Sequence, residues 1–431
     1  MHKEAVELNE IIKKHSSIIY DLLSEKGKNI FFPKKGILGQ TADAKGKKIN
    51  ATIGSAYEDD GTPMRLESID KNINLDPALT FPYAPSFGRP DIRARWKEMI
   101  YAKNPGLKNK PISLPVVSSA LTHGLSMMGY MFVDKEDKIL IPNLYWGNYN
   151  LIFKNAYDAS FETFNFFNGD KLDIEALKNA LMSGDVGKKI LLLNFPNNPT
   201  GYTPTINEAK EIKSIVEESA KKGNKIIILC DDAYFGLVYE DGIEKESLFT
   251  NLADLHENVL AIKLDGPTKE DYVWGFRVGF ITYGIKGGVD ELYSALEAKT
   301  SGAIRGSISN VSNLSQSILL ASYNDPNYNS EKIARYNLLK SRYLKVKKVL
   351  NENSNYKEYF SPLPFNSGYF MCVKLNEELD GEKIRNILLS KYDIGIINMS
   401  NLFRVAFSAV QEKYIEELFE NMYLACKESC E

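Results

Sequence analysis

From about residue 90 the chain alternates between two hydrophobic patterns. Apolar residues recur every three to four positions over residues 90–103, 122–133, 172–183 and 207–221, a spacing that predicts helices. Between and after them lie short, nearly continuous apolar runs: DKILIPN, KKILLLNF, NKIIILCDD, VLAIKLDG and RVGFITYG. Such runs, alternating with helices, predict an α/β fold with a mostly parallel sheet covered by helices on both faces. Upstream, residues 5–25 carry mixed charge at helical period and predict one amphipathic surface helix. Residues 31–64, rich in Gly, Lys and Asp, predict loops with one short strand over 49–54. A helical tract covers about 285–352, broken at SGAIRGSISN. SPLPFNSGYFMCVKLN and NLFRVAFSAV then read as strands, with a helix between them and another over 411–427. The expected division is an N-terminal arm and part of a small domain over 1–60, a large α/β domain over 61–315, and the rest of a small α+β domain over 316–431.

One apolar run ends oddly, as ILLLNFPNNPTG over residues 190–201. Each proline restricts the residue before it, so Phe195 and Asn198 are pinned in extended geometry. A plain turn needs fewer rigid positions, and open α/β sheets bind ligands beyond the carboxyl ends of their strands. Other polar residues follow the other runs: Trp146 after DKILIPN, Asp231 and Tyr234 after KIIILC, Lys269 and Arg277 after VLAIKLDG. Singly, each has a plain structural reading as helix cap, core filler, solvated charge or surface ion pair. As a set, an aromatic plate, an amide, Asp-x-x-Tyr, and Lys with Arg eight residues on suit a flat, anionic, carbonyl-bearing heterocycle.

Composition narrows the partners. Lys plus Arg number 53 against 56 Asp plus Glu, for a net charge of −3, which gives no electrostatic reason to expect nucleic acid or an anionic membrane. No run approaches ~18 apolar residues, so no membrane span is expected. The charged N-terminus lacks the apolar centre of a signal peptide, and Cys230, Cys372, Cys426 and Cys430 complete no zinc pattern. Free thiols in a reducing cytoplasm, and no metal, are the expectation.

The strand-end set resembles the fold type I pyridoxal-phosphate enzymes, specifically the class I/II aminotransferases, and is most similar to aspartate aminotransferase. NNPTG (197–201), DDAY (231–234) and Lys269-x7-Arg277 stand in that family's order and spacing. So do YAPSFGRPDIR (83–93), SSALTHGL (118–125), AIRGSISN (303–310) and NLFRVAFS (401–408). The resemblance covers roughly residues 50–410. It implies the seven-stranded sheet of that fold, pyridoxal 5'-phosphate as cofactor, and a homodimer with shared active sites.

It also implies residue roles. Lys269 would bond to the cofactor aldehyde and, once displaced, carry the proton at the substrate's α-carbon. Asp231 would keep the ring nitrogen protonated, and Tyr234 and Asn198 would hydrogen-bond the ring's phenolic oxygen. Arg277, Thr268, and the turn Ala120-Leu121-Thr122 at a helix start would hold the phosphate. Tyr83 would reach the phosphate in the neighbouring subunit. Trp146 would stack on the ring, Arg404 would bind the substrate's α-carboxylate, and Gly54 would let backbone approach the substrate. Arg305, crossing to the partner's site, would favour dicarboxylate substrates; aromatic amino acids come next.

Two departures stand out. Gly266 occupies a position where the family usually has serine, and Ala120-Leu121 replaces the usual hydroxyl–Gly pair. Either these contacts are missing, or Thr268, Ser118 and Ser119 supply them. His123 reads as a structural helix-start residue. Beside an aminotransferase stand two other readings: a β-eliminating carbon–sulfur lyase, and a non-catalytic cofactor-binding regulatory domain. The last needs a DNA-binding module, and only about fifty residues precede the core, without a basic helix pair.

Overall fold

The computed structural model describes residues 1–33 and 36–431. Lys34 and Lys35, within the stretch read as loop, lie outside them. The central sheet has seven strands in the order Val116–Ser118, Gly279–Ile285, Val259–Asp265, Lys225–Asp231, Lys188–Asn194, Lys138–Pro142 and Ser160–Phe164. The last five of these pair in parallel. Their near-continuous apolar sequences follow from burial on both faces: Ile190, Leu191, Leu192, Ile228, Leu229, Ala261 and Ile262 are all buried.

RVGFITYG also forms a strand, but one antiparallel to both neighbours, unlike the parallel-sheet reading of its apolar run. The link from Asp265 to Gly279 holds only the one-turn helix Pro267–Glu270. That is too little helix to cross back over the sheet and start a parallel strand. The same tight return places Lys269 at the sheet's carboxyl edge.

The helices Pro90–Lys103, Ala120–Phe132, Ile174–Met182 and Ile206–Lys221 form where the periodicity places them. Thr205 and Glu208 make a reciprocal capping box that starts the last of these. The tract after residue 285 is three helices, Asp290–Ser307, Asn313–Tyr323 and Tyr328–Glu352. A second sheet orders Phe360–Pro362, Met371–Leu375, Leu402–Val405 and Ile397–Asn398.

The N-terminal expectations need correction. Residues 5–25 are not one helix: Lys3–His15, Ser17–Leu22 and Glu25–Asn29 are separated by extended residues at Ser16 and at Leu23 and Ser24. Ile37–Asp43 is a helix inside the stretch read as loop, and the strand is only Ile49–Asn50, paired in parallel with Ile394–Gly395. Two residues suffice for that pairing because the next segment leaves the strand to carry Thr52 beneath Arg404.

Candidate active site

The loop after Lys188–Asn194 is locked from two directions. Asn194 Oδ1 accepts the Asn198 N–H at 2.8 Å while its Nδ2 donates to the Asp231 carbonyl at 2.9 Å, tying this strand end to the next. Gly201 sits at φ +71° with the Phe370 carbonyl so close that a Cβ would lie 1.9 Å from it, so only glycine fits. Through this contact NNPTG packs on the segment leading into Met371–Leu375, and that places Asn198 beside Arg404. Arg404 Nη1 donates to Asn198 Oδ1 at 3.3 Å and Nη2 to the Thr52 carbonyl at 2.9 Å. The guanidinium lies over the Phe370 ring, 4.3 Å from its centroid. Gly54 is nearby, yet a Cβ there would meet Phe370 Cζ at an ordinary 3.5 Å, so packing within the chain does not demand glycine.

Asp231 and Asp232 divide two roles. The Asp232 carboxylate is buried against Lys263 and accepts from Ser247 Oγ at 2.6 Å, a structural network. Asp231 turns one oxygen to the Ala233 N–H at 3.1 Å and the other to the Tyr149 hydroxyl at 2.6 Å. Burial raises the Asp231 pKa, opposed by the Tyr149 hydrogen bond and the nearby Lys269 charge. Tyr149 also packs edge-on to Trp146, centroids 5.4 Å apart. This tyrosine was missed in the sequence, although it stands three residues after Trp146 in LYWGNY.

Lys269 lies in the short helix Pro267–Glu270, its backbone carbonyl bonded by the Tyr369 hydroxyl at 2.8 Å. Its amine makes no hydrogen bond or ion pair among the described residues and lies 5.1 Å from the Tyr234 ring centroid. Burial, with a smaller push from the Arg277 charge, lowers its pKa to about 8, against the pull of Asp231. Tyr234 is buried, which raises its pKa; the Arg404 charge and a hydrogen bond with Asn198 oppose that rise.

The expected phosphate side is crowded and strained. Ala120 and Arg277 both hold left-handed backbone, at φ +58° and +54°, and such outliers in non-glycine residues concentrate at ligand sites. A Cβ on Gly266 would sit 2.9 Å from both the Gly279 Cα and the Val278 carbonyl, and one on Gly279 would sit 2.8 Å from Ala120. A serine cannot replace Gly266 here without moving backbone. Two positions on, Thr268 Oγ1 is buried without a partner. Ser118 Oγ is occupied, donating to the Ala120 carbonyl, and the Ser119 N–H donates to His123 Nδ1. His123 Nε2 faces Ser307 Oγ at 3.1 Å, and burial lowers its pKa. Leu121 and Thr122 follow in the first turn of Ala120–Phe132.

Two expected site residues stand apart. Tyr83 is 91 % exposed. Arg305, in the last turn of Asp290–Ser307, is exposed and donates to Ser309 Oγ at 2.8 Å. Neither touches the cluster in its own chain.

Trp146, Tyr149, Asp231, Lys269, Tyr234, Asn198 and Arg404 thus form a connected set at the carboxyl edge of the sheet. Residues 47–422 match the family described as aminotransferase class I and II, and the chain belongs to that family. It is a transaminase that uses pyridoxal 5'-phosphate. Aspartate aminotransferase of Bacillus subtilis is 26% identical over 66% of this chain and 68% of its own. A crystal structure of an aminotransferase from Anaerococcus prevotii superposes with TM-score 0.81 at 23% identity, covering 94% of this chain and 99% of that one. Kynurenine aminotransferase of Pyrococcus horikoshii superposes with TM-score 0.78 at 16% identity, covering 96% and 98%.

The residues present fit the cofactor. Thr268 Oγ1, on the side expected to hold the phosphate, is buried without a partner, and such a group costs about 1–3 kcal/mol unless a polar ligand satisfies it. Because the Lys269 pKa is lowered to about 8, its neutral fraction falls tenfold per unit below that pH and saturates above it. Capture of pyridoxal phosphate by cofactor-free protein, followed by visible absorbance, is expected to be level above about pH 9 and about tenfold slower at pH 6 than at pH 7. A rate still climbing through pH 10 would mean an ordinary, solvated lysine.

Proposed function

We propose that the chain moves the amino group of an L-amino acid to a 2-oxo acid such as 2-oxoglutarate, with aspartate- or glutamate-like dicarboxylates favoured. The observation that supports it most is the Arg404 guanidinium: buried, one N–H unpaired, and no carboxylate within ion-pair distance among the described residues. A buried cation lacking a counter-ion is costly, and a substrate carboxylate supplies one. Planar Arg404, pressed on Phe370, is fixed for two-point contact with that planar anion.

When bound, pyridoxal 5'-phosphate supplies an electron sink for the pair left by loss of the substrate's α-proton. Lys269 holds the cofactor and, once released as a neutral amine, moves that proton. Asp231, anchored by Tyr149, would hold the ring nitrogen protonated. Tyr234 and Asn198 would hydrogen-bond the ring's phenolic oxygen, and Trp146 would stack on the ring. Thr268, Arg277 and the start of Ala120–Phe132 hold the phosphate, with Thr268 taking the place of the excluded serine. Tyr83 and Arg305, having no task in their own chain, serve the site of a second copy in a homodimer. A cytoplasmic location accords with four unpaired cysteines.

A panel of L-amino acids with 2-oxoglutarate as acceptor tests this reading. Transfer from aspartate should be detected, and Arg305→Ala should lower kcat/KM for aspartate at least tenfold relative to alanine. That corresponds to losing one charge-assisted contact of roughly 1.5–3 kcal/mol. Equal loss for all donors, or no turnover of aspartate, would make Arg305 structural and end the dicarboxylate preference.

A further inference from the structure

The two residues after Lys269 are acidic and buried, and the chemistry proposed above uses neither. Glu270 accepts from Lys103 Nζ at 2.9 and 3.1 Å and from Lys332 Nζ at 2.6 Å. Asp271 accepts from the Tyr323 hydroxyl at 3.1 Å and the Tyr328 hydroxyl at 2.7 Å, and it lies 3.1 Å from Lys332 Nζ. Among the described residues, Lys332 is the one cation that touches both carboxylates. Burial alone would raise the Glu270 pKa, but the charges of Lys103 and Lys332 outweigh it and hold the group well below the usual carboxylate range.

The cluster matters to Lys269 because little else fixes that lysine. Its amine makes no hydrogen bond or ion pair among the described residues, so its direction follows from its backbone. That backbone is a single helical turn, Pro267–Glu270, closed by the Asp271 N–H on the Pro267 carbonyl at 2.8 Å. One turn does not persist by itself, because so few hydrogen bonds do not offset the cost of ordering its residues. The next residue, Tyr272, is left-handed at φ +60°, a conformation an aromatic residue keeps only where its surroundings enforce it. Those surroundings are the carboxylate cluster after the turn and the Tyr369 hydroxyl on the Lys269 carbonyl. Tyr328 and Lys332 stand one turn apart on the helix Tyr328–Glu352, so both reach Asp271 from one helix face.

We propose that Lys332 is a positioning residue for Lys269: it clamps the Glu270 and Asp271 carboxylates and so fixes the backbone that aims the amine at the cofactor aldehyde. The inference rests on the role given to Lys269 and extends it to a helix that supplies no group to the chemistry. Without Lys332, Glu270 keeps only Lys103, and Asp271 has no cation within ion-pair distance among the described residues. Two adjacent buried carboxylates then repel each other, and the turn that carries Lys269 shifts. A displacement of about 1 Å at a reacting group can lower a rate on the order of a hundredfold, so a clamp outside the site still registers in it.

The test is the rate at which cofactor-free, full-length protein captures pyridoxal phosphate at about pH 9, where the amine is neutral and the rate reads placement rather than protonation. Lys332→Met should slow capture at least tenfold. It should lower kcat for the best donor similarly while KM stays within about twofold, since Arg404 is untouched. The double variant E270Q/K332M removes one carboxylate together with the lysine, so the remaining Asp271 and Lys103 charges balance. It should show the same slow capture, and it decides the matter if K332M alone does not fold. Arg342→Met removes a buried cation ten residues further along the same helix, where it bonds Asp59 and the Ser408 carbonyl. That variant should lose thermal stability yet capture cofactor within about twofold of the wild-type rate. Folded K332M or E270Q/K332M with wild-type capture, or R342M as slow as K332M, would overturn the positioning role while leaving Lys269 its chemistry. Wild-type protein that carries the cofactor on a residue other than Lys269 would end the role of Lys269, and this inference with it.

Discussion

Lys269→Ala is expected to lower kcat by at least about 10⁴-fold. The variant loses both the covalent anchor and the base that moves the α-proton, and positioned proton transfer alone contributes roughly 10²–10⁴. The loss should not come from unfolding. The Tyr369 hydroxyl bonds the Lys269 backbone carbonyl, which alanine retains, and neighbouring Glu270 keeps its contacts with Lys103 and Lys332. Steady-state assay with the best donor of the panel reads the effect. Borohydride reduction and peptide mapping of the wild type should place the cofactor's mass on Lys269. Activity near wild type in K269A would exclude the roles given to this lysine.

Asp231→Ala should cost about 10²–10³ in kcat, the usual range when one fixed electrostatic partner is removed from a water-poor site. Burial already raises the Asp231 pKa, so its ionised form is held by few partners: Tyr149, Ala233 N–H and the charge on Lys269. On the proposed role, a protonated ring nitrogen facing it would supply the missing compensation. Folding should survive, because Asp232 carries the local ion pair with Lys263. Parallel circular dichroism and turnover measurements separate the effects. A D231A protein that is mostly unfolded, with normal specific activity in its folded fraction, would show that this carboxylate only caps the turn after its strand.

The parallel strands were legible because burial on both faces leaves an unmistakable run of apolar residues, as in KKILLLNF. Pro90–Lys103 was legible at its start because its proline stands at the first turn, where a missing N–H costs nothing. Asn198, Asp231 and Lys269 could be picked out because they follow such strands and sheet topology gathers strand ends. What failed was whatever depends on distant partners. Nothing near Tyr149 in the chain announces that its hydroxyl meets Asp231, 82 positions on. The direction of Gly279–Ile285 depends on how little helix precedes it. Gly266 looked like a lost phosphate contact, and the reason for it, the backbone of Val278 and Gly279 in van der Waals contact, belongs to strand packing. Residues 5–25 look like one surface helix because their mixed-charge period resembles one, whereas extended residues at Ser16 and Leu23 divide that stretch into separate helices.

Transamination makes one demand that elimination and simple binding do not. Without an acceptor, each subunit can deaminate one molecule of donor and must then stop, because the amino group stays on the enzyme. The decisive measurement is therefore the amount of oxo acid formed when purified holoenzyme is mixed with excess donor amino acid and no 2-oxo acid. One equivalent per subunit, no free ammonia, and a second equivalent only after 2-oxoglutarate is added is the predicted result. Continuous release of oxo acid together with ammonia, or no oxo acid from any donor, would contradict it.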